Sequence, residues 1–349
     1  MTSRLSPAFG QQSPGDDGHA PATRPRQAPV QIGVVVVNWN GWQDTLECLE
    51  SLRLATPAPE RVVVVDNGSH DDSVGRVLRW ADERRIASDR LDDSRDPPAR
   101  ESATAGWLTV LCTDRNRGFA GGSNLGLALL RADGGITHFL LLNNDATVAG
   151  DFFGELRAAL AADPRAGLLS GTIYTAGAER EVWYAGGVAK PLRALMLHAH
   201  DVPRAATPVA TPFVCGCSML ISRELFHELG PLPECYFPGY WEDAEYSTRA
   251  ARLGFSLRYA PRAAVYHKVG ASFGHPAVSH RTAYVQARHR VFYVRRNLRG
   301  WARVAALGYL VVTKPARAVA EALKGRPRVG LAIARGTAAG FLSRAAHGA

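Results

Sequence analysis

HFLLLNNDATV, residues 138–148, carries an apolar run from Phe139 to Leu142 that stops at Asn143, Asn144 and Asp145, then turns apolar again through Ala146 and Val148. Such a run reads as a strand buried on both faces, the mark of a parallel sheet. Open parallel sheets bind their ligands just beyond the carboxyl ends of the strands. Asp145 therefore stands where a ligand or metal ion would be held. Asn and Asp are also ordinary turn formers, so this stretch alone leaves a plain turn open.

The same design recurs upstream. QIGVVVVNWNG (31–41) is a β-branched run that ends in Asn38, Trp39, Asn40 and Gly41, and ERVVVVDNGSHDDS (60–73) ends its strand in Asp66-Asn67-Gly68-Ser69. Helical spacing follows each, through Leu46, Leu49, Leu52 and Leu54, and through Val74, Val77, Leu78 and Trp80. After a charged, Pro-containing loop over 84–106 comes a third strand, a Gly-rich loop and a helix in WLTVLCTDRNRGFAGGSNLGLALLRA (107–132). Strands alternating with helices predict a parallel α/β sheet. Beyond it, a helix capped by Asp151 stops before Pro164. Strand-like stretches follow, then a helix over YWEDAEYSTRAARLG closed by Gly254, and a strand leading to His267.

Four polar loops thus fall at four strand ends and would line one crevice. Asp66 suits the N–H edge of a nucleobase, or a helix cap. The glycines at 118, 121, 122 and 126 allow close backbone approach before a helix N-terminus, which favours a diphosphate; they also suit a turn that packs a helix tightly. Neither G-x-G-x-x-G nor G-x4-G-K-[ST] is present. Asp145 suits Mg²⁺ or Mn²⁺ that keeps positions open for substrate phosphates. Asp243 begins a helix beside Tyr240 and Trp241, as a general base or as a capping group. His267 reads as a further metal ligand or as a structural histidine.

The 349-residue chain is 46% hydrophobic and 21% charged, enough to fill a sizeable core. Its five cysteines lack zinc spacing and read as free thiols in a reducing compartment. No segment reaches the roughly 18 apolar residues of a membrane span. Residues 1–29, rich in Pro, Gly, Gln and Ala, read as a disordered leader without a signal-peptide core. The net charge of +9 is uneven. From Arg281 onward there are 14 Lys and Arg against one acid, Glu321, while the first 280 residues carry 27 basic and 31 acidic side chains. Basic residues alternating with apolar runs exclude a nucleic-acid surface and suit a membrane-surface helix pair. Packing on the preceding α/β domain or a homo-oligomer interface is the other reading of that tail.

VVVVNWNG, VVVVDNGSHDDS, NRGFAGGSNLG, LLLNNDATV, WEDAEYSTRAARLGF and YHKVGAS occur in the order seen in family 2 glycosyltransferases, and the chain resembles their bacterial rhamnosyltransferase-like branch, which builds cell-surface glycans, over about residues 30–300. The resemblance implies a GT-A fold, an α/β architecture whose mostly parallel, Rossmann-like sheet is flanked by helices. It implies inverting, metal-dependent transfer from a nucleotide sugar to a glycan or polyprenyl-linked acceptor. Nucleotide-binding residues would be Asn38, Asp66, Asn116, Gly118, Asn124 and Asn144. The metal, Mg²⁺ or Mn²⁺, would rest on Asp145 and His267; Asp243 would be the base, with Trp241 and Glu242 toward the acceptor. Residues 30–150 would form the nucleotide-sugar half, 151–280 the acceptor half, and 281–349 a helical basic tail.

Two positions depart from the family pattern: the D-x-D site reads Asn143-Asn144-Asp145, and Glu245 stands where many relatives have Asp. QARHR (286–290) lacks the Trp of processive synthases, so single transfers are expected. L-Rhamnose from dTDP-rhamnose is the first donor expected, with galactofuranose or another hexose as alternatives. The enzyme is expected in the cytoplasm, at the inner face of the cell membrane. An inactive sugar-nucleotide-binding module is the competing class. A sugar nucleotidyltransferase would need a Gly-rich, basic loop after the first strand, which NWNGWQDT does not supply.

Overall fold

The computed structural model describes residues 29–92, 106–177, 179–268 and 279–343. The expected leader falls almost wholly outside these residues. In chain order the first half runs β1 (Ile32–Asn38), α1 (Trp42–Leu54), β2 (Arg61–Asp66), α2 (Ser73–Glu83), β3 (Ser88–Asp92), β4 (Leu108–Cys112), α3 (Gly118–Ala132), β5 (His138–Asn143), β6 (Ala146–Val148) and α4 (Phe152–Ala162). The second half runs β7 (Ala166–Thr175), β8 (Val182–Tyr184), β9 (Gly187–Lys190), β10 (Leu195–His198), β11 (Val209–Ala210), β12 (Ser218–Ser222), α5 (Arg223–Leu229), α6 (Glu242–Arg252), β13 (Ser256–His267), α7 (His280–Asn297), α8 (Gly300–Leu323) and α9 (Pro327–Leu342).

The main sheet has the order β11-β13-β7-β12-β5-β1-β2-β4-β3. From β5 to β3 every pairing is parallel, while β12 runs antiparallel between β5 and β7. The valine runs are explained by burial on both faces. Successive side chains of a strand point to opposite sides. Val34, Val36, Val62 and Val64 pack with α1, α2 and α4, and Val35, Val63 and Val65 pack with α3, α5 and α6. Leu49 and Leu52 are fully buried under this sheet, whereas Leu54 turns out to solvent.

Two local expectations are corrected. The charged stretch over 84–106 is not all loop: β3 pairs with β4 in parallel register, Ser88 opposite Leu108. Its Asp89, Arg90 and Asp92 are tolerated because β3 is an edge strand, where charge discourages further pairing. Asp151 occupies the position before α4, but its side chain makes no capping hydrogen bond.

The C-terminal helices are packed, not trailing. Residue 281 falls in the first turn of α7, which lies against α6 and α9. A Cβ at Gly336 of α9 would collide with the Tyr284 carbonyl, and one at Gly330 with the Ala318 carbonyl, so glycine is what lets α9 approach α7 and α8. No helix among the described residues is long and apolar enough to cross a membrane.

α7 is tied to α6 through Glu245. Its carboxylate, 1% exposed, receives two hydrogen bonds of 2.9 Å from Arg296, one of 2.8 Å from Asn297 and one of 2.6 Å from the Tyr236 hydroxyl. Burial alone would raise this carboxyl; the donors outweigh it and hold it below its ordinary range. Breaking a buried pair strands one charge, at a cost of about 3–5 kcal/mol. Arg296→Met is therefore expected to lower unfolding free energy by about that amount in urea denaturation; a loss below about 1 kcal/mol would place the pair among those of no structural weight.

Candidate active site

Parallel register brings the polar strand ends level: Asn38 lies opposite Asp66, Val37 opposite Asn143, and Asp66 opposite Cys112. A chain of side-chain hydrogen bonds crosses these ends. Asn38 Nδ2 donates to Asp66 Oδ1 at 2.8 Å, Thr45 Oγ1 donates to Asn38 Oδ1 at 2.9 Å, and Asn144 Nδ2 donates to Thr45 Oγ1 at 3.2 Å. The Ser69 N–H donates to Asp66 Oδ2 at 3.2 Å. Each Asp66 oxygen thus accepts one bond and keeps a second lone pair. Asp66 is 5% exposed, a rigid acceptor at the edge of the sheet.

The Gly-rich loop closes the next side. Asn67 Nδ2 donates to Asn116 Oδ1 and to the Gly118 carbonyl, and the Gly118 N–H donates to Asn116 Oδ1. Gly118 has φ +73°, and a Cβ there would meet Phe237 and the Pro238 carbonyl at 2.9 Å. The Phe119 N–H donates to that same carbonyl at 2.8 Å. Asn124 lies elsewhere than expected. Its amide is committed to Leu232 and Glu234, accepting from the Leu232 N–H and donating to the Leu232 carbonyl and Glu234, so it fastens α3 to a neighbouring loop.

Asp243 enters from the opposite side on α6. The helix is preceded by Tyr240 (φ +72°) and Trp241 (φ +81°), two consecutive non-glycine residues in the left-handed region. Each costs on the order of 1–3 kcal/mol unless its surroundings enforce it. The enforcing group is His289 of α7, whose Nδ1 lies 3.1 Å from both the Gly239 and Tyr240 carbonyls and so carries the proton. Trp241 packs on Tyr293 of the same helix, with ring centroids 5.1 Å apart. Asp243 Oδ2 accepts from the Gly216 N–H at 3.0 Å and Oδ1 from the Ala244 N–H at 2.7 Å. Burial raises the Asp243 carboxyl against these two bonds. Its neighbour Glu242, 5% exposed, is pushed up to about 8 by burial and by the Asp243 charge, and its Oε2 has no hydrogen-bond partner.

Asp145 and His267 are brought together, although 122 positions separate them in the sequence. The antiparallel pairing of β6 with the end of β13 does this, with Ala146 opposite His267. His267 Nε2 lies 3.1 Å from Asp145 Oδ1 and 3.3 Å from Asn143 Nδ2.

The model of glycosyl transferase family 2 matches residues 33–230, more than half of the chain. The chain belongs to this family. No curated protein matches it. Solved structures similar to this family member include the following two. One is GalNAc-T7 with UDP, GalNAc and Mn²⁺, at TM-score 0.54 and 17% identity, covering 77% of this chain. The chain spans about half of that protein, 51% of its length. The other is the mannosyltransferase PcManGT from Pyrobaculum calidifontis in complex with GDP-Man and Mn²⁺, at TM-score 0.52 and 17% identity, covering 91% of this chain and 89% of that one. The shared architecture is the GT-A fold.

The donor set of this family member fits a divalent cation. Asp145 is 4% exposed and its Oδ1, although 3.1 Å from His267 Nε2, accepts no aligned hydrogen bond; His267 is 6% exposed and its Nδ1 has no partner among the described residues. Orphaned polar atoms on two touching buried side chains call for a ligand. A carboxylate suits Mg²⁺ and Mn²⁺ alike, and imidazole favours the softer Mn²⁺. Among the described residues no third His, Cys, Asp or Glu joins them, so further positions would fall to substrate and water.

Three contributors were not legible in the sequence. Thr45 joins Asn38 to Asn144 from within an ordinary helix. Trp183 packs edge-on to His267, ring centroids 5.0 Å apart, from a stretch read only as a strand. Gly216 holds Asp243 through a backbone N–H, which no side-chain pattern announces. The left-handed turn was equally silent, although His289 marks it.

Burial, aided by the Arg288 charge, lowers His289 from an ordinary 6.5 to about 4, and burial lowers His138 and His198 to about 4. The folded chain keeps these rings neutral while the unfolded chain protonates them first. Their stabilisation is complete above about 6.5 and is lost as pH falls toward about 4. The urea midpoint should therefore drop between those values, and His289→Asn, which keeps a donor but cannot titrate, should drop less steeply than wild type. An identical pH slope in the variant would show that His289 is not held neutral.

Proposed function

We propose that this chain is an inverting, metal-dependent glycosyltransferase that moves one sugar from a nucleotide sugar to an acceptor hydroxyl. Residues 30–150 take the donor, and residues 151–280 present the base and the acceptor. The observation that carries this reading is the orphaned, buried Asp145 carboxylate beside His267, on the sheet edge that also carries Asp66, in a chain of this family. Asp66 accepts from the nucleobase edge, held by Asn38 and the Ser69 N–H. Asn116 and Gly118 shape the loop that receives the diphosphate. Asp145 and His267 hold Mn²⁺ or Mg²⁺, which when bound neutralises the diphosphate leaving group.

Asp243 takes the acceptor hydroxyl's proton as that oxygen bonds to the anomeric carbon and the carbon–phosphate oxygen bond breaks. Its raised basicity suits this role. Glu242, whose protonated form is favoured by burial and by the Asp243 charge, can donate a hydrogen bond to the acceptor, and Trp241 offers it an apolar face. L-Rhamnose from dTDP-rhamnose is the donor we favour, and a glycan or polyprenyl-linked molecule the acceptor. The GDP-Man bound to one similar structure and the UDP bound to the other support the donor class, and the Mn²⁺ in both supports the metal.

We place this work at the cytoplasmic face of the membrane. Trp301, Val304, Val311, Val312, Val319 and Leu323 are more than half exposed and follow one face of α8 at helical spacing. Arg299, Lys324, Arg326 and Arg328 lie at the two ends of this helix, and a basic residue near an anionic surface is worth about 1 kcal/mol. Because Val291 and Val294 are covered by the last helices, the test uses exposed positions in the full chain. Val312→Asp with Leu323→Asp should abolish low-salt sedimentation with anionic vesicles while leaving donor hydrolysis unchanged. Wild type that ignores such vesicles removes the membrane from this reading.

Asp243→Asn is expected to leave donor binding nearly intact and to cut transfer about 10²–10⁴-fold. Near wild-type transfer would reduce Asp243 to a helix-terminus group. Asp145→Ala should eliminate the metal-dependent thermal stabilisation by nucleotide sugar, and His267→Ala should weaken it. Full stabilisation in Asp145→Ala, or in the presence of chelator, would refute the metal role.

A further inference from the structure

Between α7, α8 and α9 lies a cavity of about 180 Å³, remote from the sheet edge. Its polar lining is Lys314, Arg317, Glu321, Arg326 and Gln286. Lys314, Arg317 and Glu321 share one face of α8 at spacings of three and four, Arg326 comes from the turn before α9, and Gln286 from α7. Glu321 is already used, with its Oε2 2.6 Å from Arg326 Nη2. Arg290, behind Lys314 on α7, is also used: it donates to the Arg193 and Ala194 carbonyls.

Lys314 is the anomaly. It is only 8% exposed, yet no hydrogen bond or ion pair reaches it among the described residues. Its electrostatic neighbours, Arg290 and Arg317, are both cations. Burial first, and these two charges after it, lower the lysine to about 8. A buried ammonium normally has a partner. Three cations and one carboxylate therefore line a space large enough for an oxyanion with water; Arg326 is paired with Glu321, and of the two cations left without a counter-charge among the described residues, Lys314 is buried and Arg317 lies at the rim.

We propose that this cavity binds a phosphate group. Three converging cations match the charge and several oxygens of a phosphate better than the single charge of a carboxylate, and guanidinium groups suit its geometry. The group is either free phosphate or the phosphate monoester of a lipid head, since the same helical layer exposes the apolar stripe of α8.

The test titrates full-length protein with inorganic phosphate against chloride of matched ionic strength, following thermal denaturation. Wild type should show a saturable rise in Tm that Lys314→Met loses. Arg317→Gln, on the exposed rim and safe for folding, should bind phosphate about tenfold more weakly or worse. Without phosphate, Lys314→Met should be at least as stable as wild type, because it removes an unpaired buried cation. A second arm uses flotation with phosphatidylcholine vesicles carrying phosphatidic acid or, at equal charge, phosphatidylglycerol. A preference for phosphatidic acid that Lys314→Met loses assigns the site to a lipid head. A phosphate-dependent Tm rise with no vesicle preference assigns it to free phosphate. The proposal is overturned if both variants respond as wild type in both arms, or if wild type distinguishes neither phosphate from chloride nor phosphatidic acid from phosphatidylglycerol.

Discussion

The hydrogen bond from Asn38 to Asp66 exists because two parallel strands end in the same register. Every other element of the polar sheet edge is arranged around that alignment. β5 ends one residue out of step on the far side of β1, which sets Asn143 beside Val37 and leaves Asp145 just beyond the edge. A slip of one residue in β1 would exchange the faces that Val34 to Val36 present and withdraw Asn38 from Asp66 together. Two-sided burial of the valine runs thus fixes the register, and the register fixes the site.

This is also why the donor side was legible in the sequence. β-Branched runs that end in Asn, Asp and Gly report strand, direction and edge at once, so Asp66, Asn116 and Asp145 could be placed before any coordinates. The meeting of Asp145 with His267 follows from β13, a strand whose final residues pair back to β6. Nothing local in YHKVGAS specifies that partner; only the order of motifs suggested it. The partners of Asn124 were not legible, because its motif position says nothing about which way a helical side chain points, and its amide found Leu232 and Glu234. The edge strand β3 was hidden because its charges break the alternation that betrays half-buried strands.

Around Asp243 the physics is different. Asp243 is not held at a strand end. It sits at the start of a helix whose entry turn is in a costly backbone conformation, and the groups that compensate come from α7. His289 satisfies two carbonyls of the turn, Trp241 lies on Tyr293, and Glu245 is bound by Arg296 and Asn297. The region that reads in sequence as a basic appendage is, through α7, a wall of the site.

The α6–α7 clamp also has a bearing on the order in which the chain becomes competent during synthesis. Every side chain assigned to donor, metal or acceptor has been made once residue 267 is complete. The turn at 239–241 at that moment has no imidazole to bind its carbonyls, and Glu245 is a buried-to-be carboxylate without its guanidinium. Only after Asn297 has emerged are both supplied. A nascent chain can thus close its sheet and form the edge that carries Asp66 and Asp145 while Asp243 is still unset, so on the roles proposed above donor binding would precede transfer competence by a stretch of translation about thirty residues long.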